Sequence, residues 1–93
     1  MAHKRKPIKN LVGTEIRRLR ESHGWSQAEF AAKCQISGWD ISRGIVAAIE
    51  GRVRWVGDFE LVLLAKVLKT PVASLIPDDI DWKQIDVGHA LRR

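Results

Sequence analysis

A single cysteine, Cys34, stands in the 93-residue chain, so no internal disulfide can form. His3, His23 and His89 are scattered around it at no metal-ligand spacing, and no metal or cofactor site is assigned. Cys34 therefore reads as a small buried hydrophobe. No apolar stretch reaches 18 residues, which excludes a membrane-spanning helix, and the basic, proline-containing start lacks the apolar region of a signal peptide. The chain is expected in the cytoplasm with no membrane partner. It has no internal repeat and no low-complexity stretch. Ninety-three residues make one domain with one modest core, too small for a deep catalytic cleft. Asp78, Asp79 and Asp81 come nearest to acid or metal chemistry, but they follow Pro77 in a polar tail without a supporting pocket. No catalytic residue is assigned, and the chain is not read as an enzyme.

Acidic residues are absent from the first nine positions, which carry Lys4, Arg5, Lys6 and Lys9. Residues 10–54 hold seven bases against five acids, residues 55–77 two of each, and residues 78–93 three bases against four acids. The net charge of +5 therefore sits in the N-terminal half. A polyanion such as nucleic acid suits that asymmetry; a merely solubilising surface is the plainer alternative.

Residues 1–9 read as a disordered basic arm, because Pro7 sits among charges and nothing apolar holds the segment down. A first helix is expected over residues 11–23, with Val12, Ile16 and Leu19 on one face, Arg17, Arg18 and Arg20 off it, and Gly24 as its stop. Trp25 then plugs the core. Ser26, with Glu29 three residues on, forms a capping box opening a second helix over 27–34 whose apolar positions are Phe30, Ala31 and Cys34. Ser42 caps a third helix over 43–51, with Val46 and Ile49 on its buried face. The connection, residues 35–41, is long. Two short capped helices in a small basic domain suggest a DNA-reading element, the later helix lying in a major groove while its partner crosses the backbone. Asp58 is expected to cap a fourth helix to residue 69, with Leu61, Leu64, Ala65 and Leu68 as its apolar stripe. Pro71 admits a short fifth helix over 72–76 and Pro77 stops it. Residues 78–93, with Trp82, Ile85, Val87 and Leu91, are either a sixth helix or a frayed tail.

These residues resemble the helix-turn-helix family of phage repressors and Cro proteins, the Xre family of bacterial regulators, over residues 12–77. The matching points are Ile16-Arg17-Arg18-Leu19-Arg20, then Gly24-Trp25-Ser26-Gln27-Ala28-Glu29-Phe30-Ala31, then Ile41-Ser42-Arg43, Val46 and Ile49-Glu50. Leu61, Leu64-Ala65-Lys66-Val67-Leu68 and Pro71-Val72-Ala73-Ser74-Leu75 complete the match. The long turn, residues 38–43, follows a Gly-Trp-Asp-Ile-Ser-Arg variant of the family. The resemblance implies an all-α, five-helix lambda-repressor-like domain over residues 10–77. It implies that Gln27 bonds a DNA phosphate, with Ser26 beside it as cap, and that Ala31 lets two helices approach. It further implies that Ser42 and Arg43 open the recognition helix, Arg43 reading guanine or holding a phosphate, and that Arg52 and Arg54 lie in a loop touching the backbone. Arg52 and Arg54 are equally explained as cations at a helix end.

The chain departs from the family chemically at Gly44, Ile45, Ala47 and Ala48, where members usually offer polar side chains to bases. Ile45 and Ala47 remain for thymine methyls, and DNA shape with the basic arm in a minor groove is a further source of specificity. Gly44 weakens its helix by about 1 kcal/mol relative to alanine, which points to a soft element or a close backbone approach. Trp39 reads as a turn anchor. Trp55 is either packed or exposed at a dimer contact, and Trp82 packs back on the domain or crosses to a second subunit. The expected function is a sequence-specific, repressor-like regulator of bacterial or phage origin, binding double-stranded DNA as a homodimer. The alternative is an antitoxin or adaptor module that uses the same fold for a protein partner.

Overall fold

Four short helices are each opened and closed by local chemistry in the computed structural model, which describes residues 7–85. They are α1 (Gly13–Ser22), α2 (Gln27–Ile36), α3 (Arg43–Glu50) and α4 (Asp58–Val67), followed by single 3₁₀ turns at Val72–Leu75 and Trp82–Gln84. No strand occurs among the described residues; one isolated parallel bridge joins Ile8 to Ile85.

Ser26 caps α2 as expected: its Oγ accepts from Glu29 N at 3.0 Å and its own N–H donates to Glu29 Oε1 at 2.9 Å. Ser42 caps α3 by accepting from Ile45 N at 3.2 Å. Gly24 (φ 76°) and Gly38 (φ 100°) close α1 and α2 in the left-handed region, where a side chain is costly. Because Gly38 is the true stop, with the Trp39 N–H donating to the Cys34 carbonyl, α2 runs two residues beyond the expected Cys34 and the connection shortens to residues 37–42. At α3 the left-handed position falls on Arg52 (φ 60°), one residue past Gly51.

Three expectations are corrected. The fifth helix is only the 3₁₀ turn Val72–Leu75, since Ile76 precedes Pro77 and is held extended (φ −92°, ψ 124°), leaving too few residues for an α-turn. Asp58 is not the cap of α4 but its first residue; Gly57 occupies the cap, and its N–H donates to Glu60 Oε1 at 3.0 Å. Arg20 does not lie off the core face: it is one turn beyond Ile16, on the same side of α1, and is buried.

The core gathers Val12 and Ile16 of the first helical segment, Phe30, Ala31 and Cys34 of α2, Ile41, Val46 and Ile49 around α3, and Leu64, Ala65, Val67, Leu68 and Leu75. Trp25 is half-buried, stacked between His23 (ring centroids 4.2 Å apart) and Phe30 (6.2 Å). Burial pushes the Cys34 thiol up to about 11, as for a small hydrophobe with no charge beside it. No helix among the described residues is long and apolar enough to cross a membrane.

The two ends of the described chain meet. Ile8 N donates to the Gln84 carbonyl at 2.7 Å, and Lys9 N donates to the Arg52 carbonyl at 2.9 Å. The arm expected over residues 1–9 is thus tied down at its base, and the start of the expected tail is what ties it. Lys4, Arg5 and Lys6, like Val87 and Leu91, lie outside the described residues.

Candidate nucleic-acid interface

α2 and α3 pack against each other, and α3 also packs against α1. Val46, Ile49 and Glu50 face inward from α3, while Arg43 and Gly44 are exposed and Ile45, Ala47 and Ala48 are half-buried. Ile45 also leans on the core. A Cβ built at Gly44 meets only Ser42 Oγ at 3.6 Å, an ordinary contact, so nothing inside the protein requires glycine there.

Behind that surface lies a buried ion pair that the periodicity of single helices does not reveal. Arg20 Nε donates to Glu50 Oε2 at 2.6 Å, and Arg20 Nη2 to Glu50 Oε1 at 3.0 Å. This forked pair is nearly closed to solvent, and the hydrogen bonds that Arg20 donates to Glu50 hold the guanidinium more firmly protonated than usual. Arg20 Nη1 also donates to the Trp25 carbonyl at 2.7 Å, tying α1 to the entry of α2.

The network continues outward. Gln27 Nε2 donates to Glu50 Oε1 at 3.1 Å, and Gln27 Oε1 accepts from Arg43 Nη1 at 3.1 Å. The amide has only this orientation available: reversed, its oxygen would face a carboxylate and its NH₂ a guanidinium. One Gln27 N–H and several Arg43 donors remain for a ligand. Ser26, Gln27, Ser42 and Arg43, all named from sequence, are thus brought to one edge between the starts of α2 and α3.

The arginines after α3 separate. Arg52, at its left-handed position, lays its aliphatic stem over Gly13, where a Cβ would collide with the Ile49 carbonyl. Arg54 is spent on the protein: Nη1 and Nη2 bond Glu60 Oε1 and Oε2 at 2.9 and 3.0 Å, and Nη1 also reaches the Trp55 carbonyl at 2.9 Å. The hydrogen bonds from Arg54 hold the Glu60 carboxyl below its ordinary range. The Arg54 guanidinium lies 6.0 Å from the Trp39 ring, so this tryptophan is a turn anchor, half-buried against the core.

Asn10 is a second residue that sequence reading passed over. Its Oδ1 accepts from the N–H groups of Val12 (3.1 Å) and Gly13 (2.8 Å), opening α1. Its Nδ2 donates to the carbonyls of Ile49 (3.0 Å) and Arg54 (2.9 Å). One amide therefore joins the start of α1 to the end of α3. Among the described residues no group of three or more His, Cys, Asp or Glu is placed to hold a metal ion.

Two helices in this relation, the second presenting its first turn to solvent, define a helix-turn-helix domain. The chain belongs to the helix-turn-helix family, whose pattern matches residues 16–75. No curated protein matches the chain. Solved structures do. The DNA-binding domain of BldD is 27% identical with a TM-score of 0.64, over 75% of this chain and 94% of that one. The restriction-modification controller protein C.AhdI from Aeromonas hydrophila is 28% identical with a TM-score of 0.61, over 71% and 91%. A hypothetical transcription factor, NHTF, from Neisseria shares the fold at 21% identity and a TM-score of 0.64, over 83% and 87%.

Proposed function

We propose that this protein is a DNA-binding transcriptional regulator, repressor-like and dimeric, that lays α3 in the major groove of double-stranded DNA. The observation that carries the reading is Arg43, exposed on the first turn of α3 and held there by a chain of hydrogen bonds running back to the buried Arg20–Glu50 pair. A long cation normally loses much side-chain entropy when it docks; one already fixed at its root loses less. The likeness to BldD, whose matched part is a DNA-binding domain, and to the controller protein C.AhdI supports the reading.

In this reading Arg43 keeps donors free for the O6 and N7 acceptors of a guanine. Gln27 holds Arg43 with its oxygen and offers its remaining N–H to a phosphate, where the start of α2 also favours negative charge. Ser42 spends an oxygen lone pair on its cap and keeps its hydroxyl proton to donate, whereas the Ser26 hydroxyl already serves Glu29. Ile45 and Ala47 offer methyl contacts only, and Gly44 lets the DNA backbone come close. Arg52 adds a cation at the end of α3. Arg54 serves by holding the loop in place rather than by touching DNA.

The test is selection from a random duplex library at two salt concentrations, followed by Arg43→Ala. The substitution should cost about 1–3 kcal/mol on the selected site and little on random DNA. An equal loss on both makes Arg43 a phosphate contact, and no salt-sensitive binding at all overturns the reading in favour of a protein partner.

A further inference from the structure

Where the two ends of the described chain meet α1 and the end of α3, they border a cavity of about 220 Å³. Asp79 and Asp81, which the sequence leaves in a tail without a supporting pocket, line it. Ile8, Leu11, Pro77 and Ile80 give it a half-buried apolar wall. Its remaining charges are Arg52 at the end of α3 and Glu15 of α1. Glu15 already holds Arg18 at 2.7 Å, and Asp81 gives one oxygen, Oδ1, to the Lys83 N–H at 3.1 Å. The side chains of Arg52, half-buried, and Asp79, exposed, have no hydrogen-bond or ion-pair partner among the described residues. Opposite charges that line one cavity without meeting are matched by a ligand carrying both signs.

The lining selects among small molecules. Three carboxylates against one guanidinium repel a phosphate or a dicarboxylate, and the guanidinium repels a plain amine. No aromatic ring is among the lining residues, so a nucleobase has nothing to stack on. The acids form no group fit to hold a metal ion. A zwitterion answers both signs: its carboxylate accepts the forked donors of Arg52, and its ammonium donates to Asp79 and to the second oxygen of Asp81. Size narrows the class further. A cavity of about 150 Å³ takes the six non-hydrogen atoms of benzene, so this one takes about nine, the number in leucine or isoleucine. The apolar wall then receives the aliphatic side chain.

We propose that this cavity is an effector site for an aliphatic α-amino acid. The site stands on the cavity alone, and its consequence for DNA rests on the DNA-binding reading. That reading places Arg52 as a cation at the end of α3, and the Arg52 carbonyl also anchors Lys9 N at 2.9 Å. A bound carboxylate withdraws the guanidinium from phosphate, so the amino acid lowers DNA affinity by about two- to fivefold. DNA lowers amino-acid affinity by the same factor, because the coupling is reciprocal.

Two-dimensional amide NMR of the full chain, titrated with L-leucine to about 10 mM, should show saturable shifts at Arg52, Asp79 and Ile80 with a Kd below about 1 mM. Leucinamide lacks the carboxylate, N-acetyl-leucine the ammonium and glycine the apolar side chain; each should bind at least about tenfold more weakly. Arg52→Gln keeps the Cβ and Cγ that cover Gly13, and Asp79→Asn keeps the shape of its side chain. Each should weaken leucine at least about fivefold while the remaining amide spectrum stays that of the native fold. No saturable shift at these residues, an analogue that binds as well as leucine, or native affinity in both variants overturns the site. DNA affinity is measured in parallel with and without leucine. Unchanged DNA affinity at saturating leucine overturns the regulatory step. A chain that binds leucine but not DNA sustains the site and sinks the DNA-binding reading, and one that binds DNA but not leucine does the reverse.

Discussion

At Gly44 the absence of a side chain has no internal cause. Nothing in the fold would resist a methyl group there, and glycine inside a helix costs about 1 kcal/mol against alanine. Gly44→Ala should therefore raise the unfolding free energy by about 1 kcal/mol, several degrees of melting temperature for a domain of this size. The same methyl should weaken DNA binding if the duplex backbone comes close at this turn, so thermal melting and affinity are expected to move in opposite directions. Higher stability at unchanged affinity would remove residue 44 from the interface. Gly13 is the contrasting case, since its missing side chain has a visible cause in the Ile49 carbonyl. The two glycines look alike in the sequence and differ only in what stands opposite them.

The elements were largely written in their own ends. Ser26 with Glu29, Ser42 and Gly24 act within a few residues of themselves, so their roles can be read by spacing, and α1 to α4 fall within two residues of where such signals put them. Asp58 was misplaced locally, by one residue, whereas the larger misreadings of side-chain roles are long-range. Arg20 meets Glu50 across 30 residues and Asn10 meets Arg54 across 44, and no periodicity within one helix announces either partner. Arg54 was legible as a cation near a helix end, but the carboxylate that claims it, Glu60, reads from sequence as an ordinary first-turn acid. The edge that joins Ser26, Gln27, Ser42 and Arg43 was legible only through family likeness, because the Gln27 bridge depends on how two helices pack.

Acid titrates the same element ends. The bidentate bond from Arg54, with a further one from the Gly57 N–H, lowers the Glu60 carboxyl from its ordinary 4.5. The Ser26 N–H and hydroxyl likewise lower Glu29. A carboxyl depressed on folding stabilises the native state above its unfolded pKa and loses that contribution as pH falls through the folded one. The melting temperature should accordingly hold from neutrality down to about pH 5 and drop below it. Glu60→Gln should lower stability at neutral pH and flatten the acid slope, because the group that titrates is gone. A Glu60→Gln variant with the native acid slope would show that the Arg54 pair is not coupled to folding.

For the whole molecule, the decisive feature is where the basic end is fastened. Ile8 is paired with Gln84 and Ile85, and Lys9 is bonded to the Arg52 carbonyl at the end of α3. Residues 8 and 9 are thereby fixed beside the end of α3, and Lys4, Arg5 and Lys6 precede them in the sequence. Deleting residues 1–9 would test their electrostatics badly, because it would also remove the Ile8 and Lys9 hydrogen bonds and loosen the end of α3. Replacing Lys4, Arg5 and Lys6 together by alanine keeps those bonds and removes only charge. If these side chains neutralise phosphates, the slope of log affinity against log salt should become shallower by up to about 0.9 for each phosphate left without its cation, with the melting temperature unchanged. The full deletion should show the same shallower slope and a lower melting temperature besides. A slope that the triple substitution leaves untouched would assign the salt dependence to α3 and its neighbours alone, and the basic end would then matter for solubility rather than for DNA.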